Sequence, residues 1–310
     1  RELVKNALLY WNKALGDGAI EVFQLTDKNI TAPHFDLNII QWSDWDSAGY
    51  AFADAHVDPR SGEVTSAQIF FPSAFMEGAV SKRIRLVESS RPVVALKGFK
   101  SATLCRRSLN ADFANREMGQ EVSAAAMDKA VRDYVYEVIA HELGHVLGLR
   151  HNFAASLASN YDYKDRKDLI LSYYKKMKAP EGIIASNSVM EYSLFEESAW
   201  NADLLQNANG VGTKALTYDE MAIKYLYFKT PLPLVNRPLF CTDTDIQLYA
   251  DCNQNDAGRS IISTASGAYQ FNINSLAGRL INIYIASSKQ RESLASALIP
   301  VGEVNINSSG

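Results

Sequence analysis

The run His141-Glu142-Leu143-Gly144-His145-Val146-Leu147-Gly148-Leu149-Arg150-His151 constrains this chain more than any other stretch. Residues four apart on an α-helix lie one turn apart at nearly the same azimuth, so His141 and His145 can aim their rings at one ion. A third ligand on the same straight helix would be badly placed around a tetrahedral ion, so the chain must turn before supplying it. Gly148 permits that turn, and His151 follows it. Three neutral imidazoles leave a fourth position for water, the arrangement of a catalytic zinc site and not of a closed structural one. Zinc brings the pKa of such a water down toward ~7, and Glu142 stands where it can take the proton and later pass it to a leaving amine. Two histidines flanking a Glu also occur in ordinary helices; the extension through Gly148 to His151 makes the pattern specific.

The surrounding periodicity places this run near the end of a long helix. From about Ser123, Val131, Val135, Val138, Ile139, Val146 and Leu147 recur at helical spacing, and Gly148 ends the pattern. Val4, Leu8, Trp11 and Leu15 predict a first helix over 2–15, closed by Gly16. Segments 20–25, 37–42, 49–55 and 64–71 are rich in β-branched and aromatic residues and read as strands. The turn signal Asp58-Pro59-Arg60-Ser61-Gly62 predicts a hairpin of 49–57 with 63–71. Residues 160–182, mixing Tyr, Lys and Asp, read as an exposed helix whose charges form a solvated face. Thr217 and Glu220 have capping-box spacing ahead of a helix over 218–229.

Apolar residues make up 47% and charged residues 21% of the 310, an ordinary globular balance that argues against wholesale disorder. A net charge of −4 and the lack of a dense Lys/Arg stripe argue against nucleic acid as a partner. No apolar run reaches the roughly 18 to 20 residues that cross a bilayer, so no membrane span is expected. The chain opens on Arg1 directly in a helical pattern, which reads as a piece excised from a longer precursor. Cys241 and Cys252 stand eleven apart in an Asn- and Asp-rich stretch suited to a small disulfide loop, a hint of an oxidising compartment. Cys105 reads as a small buried hydrophobe before any metal or latency role. Asp243, Asp245, Asp251 and Asp256 could hold calcium, but their spacing matches no EF-hand, and a solvated turn is the favoured reading. His34 and His56 lack ligand spacing and read as ordinary hydrogen-bonded histidines.

The pattern HExxHxxGxxH resembles that of the metzincin clan of zinc endopeptidases, whose second hallmark is a methionine-bearing turn beneath the metal. Ser188-Val189-Met190-Glu191-Tyr192 fits that turn. The longer run HELGHVLGLRHNF, with NIIQW and DPRSGE before it and YDEMAIKYLY after, is similar to the bacterial met-zincin family of secreted or envelope-associated proteases. The resemblance covers roughly residues 1–255. It implies that Met190 floors the metal site without ligating. It implies for Tyr192 either a hand in stabilising the oxyanion or a packing role. It implies substrate added as a strand along a sheet edge, for which 64–71 is the candidate, with Ala67, Gln68, Ile69 and Phe70 offering main-chain hydrogen bonds. Ser193, Leu194 and Phe195 would then help wall the pocket beyond the scissile bond.

The expected fold is an α+β zincin: a twisted mixed sheet, mostly parallel, over the active-site helix, with a helical lower half. Residues 1–255 would form the catalytic unit, divided at 148/149, and 256–310 an extension, helical or partly irregular. The expected function is zinc-dependent hydrolysis of internal peptide bonds in a protein or peptide substrate, by a bacterial protein that is secreted or held in the cell envelope. A zinc amidase acting on peptidoglycan or another non-protein amide is one alternative, because the same triad can attack any amide placed over it. A non-catalytic zinc-containing peptide-binding module is another.

Overall fold

A computed structural model describes residues 2–24, 30, 32–34, 37–43, 51–72, 122–207, 213–262 and 265. The chain divides into two compact units, Arg1–Thr264 and Ala265–Gly310. All but one residue of the second unit, and with them most of the predicted extension, lie outside the described residues, as does Cys105. Residues 256–262 belong with the first unit: the Arg259 N–H donates to the Tyr161 carbonyl, and its guanidinium pairs with Asp162.

The predicted amino-terminal helix forms in pieces. Helices α1 (Glu2–Leu8) and α2 (Asn12–Leu15) are joined by a 3-10 turn at Leu9–Trp11 and end at Gly16, whose φ of 108° only glycine adopts readily. The 3-10 turn drives Tyr10 and Trp11, both fully buried, into the core. Residues 21–24, predicted as strand, have no regular structure. The main chain at Ile20 is committed to the Asn12 side-chain amide, which both donates to it and accepts from it, and is not available to a neighbouring strand.

Strands β1 (Ile39–Ser43), β2 (Phe52–Val57) and β3 (Val64–Pro72) form a mixed sheet in the order β1-β3-β2. β1 runs parallel to β3 and β2 antiparallel, joined to β3 by the predicted turn, which closes through Gly62 N–H to Asp58 O and Asp58 N–H to Glu63 O. This order corrects the expectation that 64–71 is the sheet edge. Ala67, Gln68, Ile69 and Phe70 have β2 on one side, and Gln68 to Phe70 have β1 on the other, so their main-chain groups are already engaged in the sheet. Among the described residues, the outer positions belong to β1 and β2.

Helix α3 (Ala124–Val146) starts at Ser123, whose Oγ accepts from the Ala126 N–H. It is not one-sided as the stripe suggested: nearly every residue from Ala130 to Glu142 is buried, as expected of a helix enclosed on all sides. The sheet covers it near its carboxyl end, where Leu143 and Val146 meet Ala53, Ala67 and Ile69. Helix α5 (Phe195–Gln206) packs along it, with Phe195 against Tyr134.

Helix α4 (Arg166–Lys176) occupies the middle of the 160–182 stretch. Most of its charges are solvated as expected, but Arg166 is buried, with its guanidinium on the carboxylates of Glu196 and Glu197. Helix α6 (Thr217–Phe228) forms without the predicted capping box, because Leu216 and not Thr217 is the cap residue. The Leu216 N–H goes to the Tyr10 hydroxyl, which in turn donates to Asp219. The amino-terminal 3-10 turn is thereby fastened to α6.

That fastening gives a testable expectation. Tyr10→Phe leaves the Leu216 N–H and one lone pair of Asp219 without their buried partner, which should lower the unfolding free energy by about 1–3 kcal/mol in denaturant titration.

Candidate metal centre

The last two turns of α3 carry His141, Glu142 and His145, and the helix ends one residue later, at Val146. Gly148, at φ 87°, reverses the chain, the Leu149 N–H returns to the Gly144 carbonyl, and His151 comes back over the helix end. One ring nitrogen from each of His141, His145 and His151 lies within 4.8 Å of the others, and no other group of three or more His, Cys, Asp or Glu residues among those described meets in this way. His34 and His56 stay outside it. His141 and His151 are buried and His145 is half-buried.

Each ring is braced through Nδ1. His141 Nδ1 sits 2.6 Å from the Val189 carbonyl, His145 Nδ1 2.9 Å from the Leu149 carbonyl, and His151 Nδ1 2.9 and 3.0 Å from the two Asp243 oxygens. All of these partners are acceptors, so every Nδ1 carries the proton and, in the neutral ring that metal binding requires, every Nε2 a lone pair. The Nε2 atoms of His145 and His151 face each other at 3.1 Å. Two lone pairs at that range repel unless a cation lies against both. For nitrogens ~2.0–2.1 Å from a tetrahedral zinc, the edge of the tetrahedron is about 3.3 Å, close to the spacing seen. The donor set thus fits a single zinc ion.

Asp243, expected in a solvated turn, is instead the partner of the third histidine. The hydrogen bond from His151, which outweighs the opposing effect of partial burial, holds its carboxyl down at about 2. Asp256, from the same expectation, is buried, and burial lifts its carboxyl to about 6. Asp245 caps the Thr242 N–H, and Asp251 is exposed. Cys241 and Cys252 form a disulfide.

The turn predicted around Met190 forms beneath the histidines. The Val189 carbonyl accepts from His141, and the Asn152 N–H reaches the Met190 carbonyl. Asp219 holds the turn from the other side, accepting from Ser188 Oγ at 2.5 Å and Val189 N–H at 3.0 Å as well as from Tyr10. Met190 is fully buried and packs against α3 at Gly144, between the two helix ligands. Any Cβ there would collide with the Met190 thioether and sit 2.8 Å from the Trp11 ring.

Tyr192 joins the centre through its ring, whose centroid lies 4.5 Å from that of His151 and 5.6 Å from that of His141. Glu142 is fully buried on the helix next to the first ligand. Glu191, for which the sequence offers no role, accepts from the Ser156 and Tyr192 N–H groups. Ser193 is buried and Leu194 half-buried, just ahead of α5. Sequence reasoning missed the roles of Asp243, Asn152, Asp219 and Gly144. The Asn directly after the third histidine and the glycine between the helix ligands were the available signals.

Residues 123–233 match the protein-family model described as Met-zincin. Compared with curated proteins and with solved structures, the chain finds no match in either set. Family and triad together support a metalloprotease type of function and are consistent with zinc.

Two outcomes test this architecture. Gly144→Ala should destabilise the fold by about 1–3 kcal/mol in urea, because neither the buried Trp11 ring nor the Met-turn can retreat without opening the core. Burial, against the three hydrogen bonds it accepts, lifts Asp219 to about 6. An acid whose pKa is higher folded than unfolded favours the folded state at low pH, and that advantage is lost as pH rises from about 4 through 6. Unfolding free energies of wild type and Asp219→Asn, compared from pH 4 to 7, should therefore shift in favour of the variant as pH rises.

Proposed function

We propose that this chain is a zinc-dependent endopeptidase that hydrolyses internal peptide bonds in protein or peptide substrates. The observation that carries the proposal is the convergence of three Nδ1-braced histidines on one point, within a stretch that matches the met-zincin family. His141, His145 and His151 would hold the ion. When bound, zinc supplies a Lewis acid and an acidified water at its open position.

Glu142 accepts the proton as the scissile carbonyl is attacked and returns it to the leaving amine. Tyr192, in ring contact with two of the ligands, is suited to donate toward the developing oxyanion. Ser193 and Leu194 continue from Tyr192 and wall the pocket beyond the scissile bond. With β3 enclosed, the substrate strand is assigned to the outer side of β2, whose Ala53 and Ala55 meet Leu143 and Val146 beside the ligands. A disulfide is favoured outside the reducing cytosol, in keeping with a bacterial protein that is secreted or held in the cell envelope. Among the described residues no helix is long and apolar enough to cross a membrane.

Glu142→Ala should keep one zinc per chain by elemental analysis and lose ~10²–10⁴-fold in cleavage of casein and quenched peptides. Cleavage by wild type should stop with a chelator, and peptidoglycan fragments should remain intact. A variant as fast as wild type would overturn the role given to Glu142.

A further inference from the structure

Two of the three ligands are braced by main-chain carbonyls that belong to the helix end and the Met-turn. The third is braced by a carboxylate 92 residues away, on a loop beyond the stretch that matches the family model. That loop is built onto the segment after His151. The Phe153 N–H donates to the Cys241 carbonyl, Asn152 Oδ1 accepts from the Cys241 N–H, and Asn152 Nδ2 reaches the Leu239 carbonyl. Cys241 and Cys252 are buried with Phe153, Ala154 and Tyr192, so the disulfide forms part of the wall of the metal centre. Inside the loop, Thr242 Oγ1 donates to Asp243, and Asp245 caps Thr242.

We infer that Asp243 is a positioning residue for the metal and that the Cys241–Cys252 disulfide holds it in place. The inference rests on the zinc reading of the triad. The carboxylate fixes His151 as the tautomer with its lone pair on Nε2, sets the ring plane through two oxygens, and strengthens the nitrogen as a donor. A side chain with 45% exposure would otherwise spend much of its time in solvent, and closing its loop across eleven residues removes that freedom. The geometry of the third ligand is thus set from outside the HExxH helix and the Met-turn.

The test is zinc affinity of the 310-residue chain, measured by competition with a chromophoric chelator, together with the visible spectrum of the Co2+-loaded protein. Removing an outer partner of a metal-bound histidine typically weakens binding about 10–100-fold, and Asp243→Ala should do so and alter the cobalt bands. Asp243→Asn, which keeps an acceptor oxygen but not the charge, should recover part of the loss and decides the matter if the alanine variant does not fold. Asp251→Asn, an exposed acid of the same loop, should leave affinity unchanged, which separates a positioned contact from general charge. Replacing both cysteines by serine should weaken binding in the same direction, and adding Asp243→Ala to that variant should cost little more, because both act through one contact. If wild type holds stoichiometric zinc and the Asp243 variants hold it equally tightly, the inference is wrong and the zinc reading stands. If wild type binds no zinc, both fall together.

Discussion

The structure depends on bringing three neutral imidazoles together inside a protein with all their lone pairs turned inward. Left to itself such an arrangement is unfavourable, since each ring could tautomerise or rotate to avoid the others. What prevents it is an acceptor at every Nδ1: the Val189 carbonyl, the Leu149 carbonyl and the Asp243 carboxylate. Each acceptor comes from a different stretch of the chain, so Gly148, the Met-turn and the disulfide loop are three answers to one electrostatic requirement. The met-zincin match covers the first two.

What could be read in advance was what is local. The spacing of His141, His145 and His151, the glycine that turns the chain, the start of the helical pattern near Ser123 and the hairpin turn at 58–62 are all encoded within a few residues, and they formed. The partners of those elements are encoded nowhere near them. Val189 is 48 residues from His141, and nothing in an Asp-rich loop distinguishes the carboxylate that meets a histidine from those that meet water. Burial misled for a related reason. The apolar stripe on α3 predicted one covered face, yet Asp133, Tyr134, Tyr136 and Glu137 are buried as well, on sides where α5 and the amino-terminal helices supply neighbours that a pattern in α3 cannot announce.

Strand order failed to show through for a different physical reason. An apolar run such as 64–71 satisfies the same periodicity at a sheet centre or at its edge, and only the neighbours decide which. Here the hairpin partner takes one side of β3 and a parallel strand from earlier in the chain takes the other. The burial of Ala67, Gln68 and Ile69 agrees with that central position. A residue run this apolar is what a central strand requires, and an edge strand of the same composition would invite pairing with other chains.

The amino-terminal segment shows why a short helix so far from the chemistry in sequence matters to it. Trp11 donates to the Ala140 carbonyl one residue before the first ligand and lies where a side chain at Gly144 would go, while Tyr10 reaches Asp219, which holds the Met-turn. The two rings leave neighbouring positions of one 3-10 turn, whose three residues per turn set successive side chains about 120° apart. A single turn of chain thus supports the metal centre from two sides, the ligand helix through Trp11 and the floor beneath it through Tyr10.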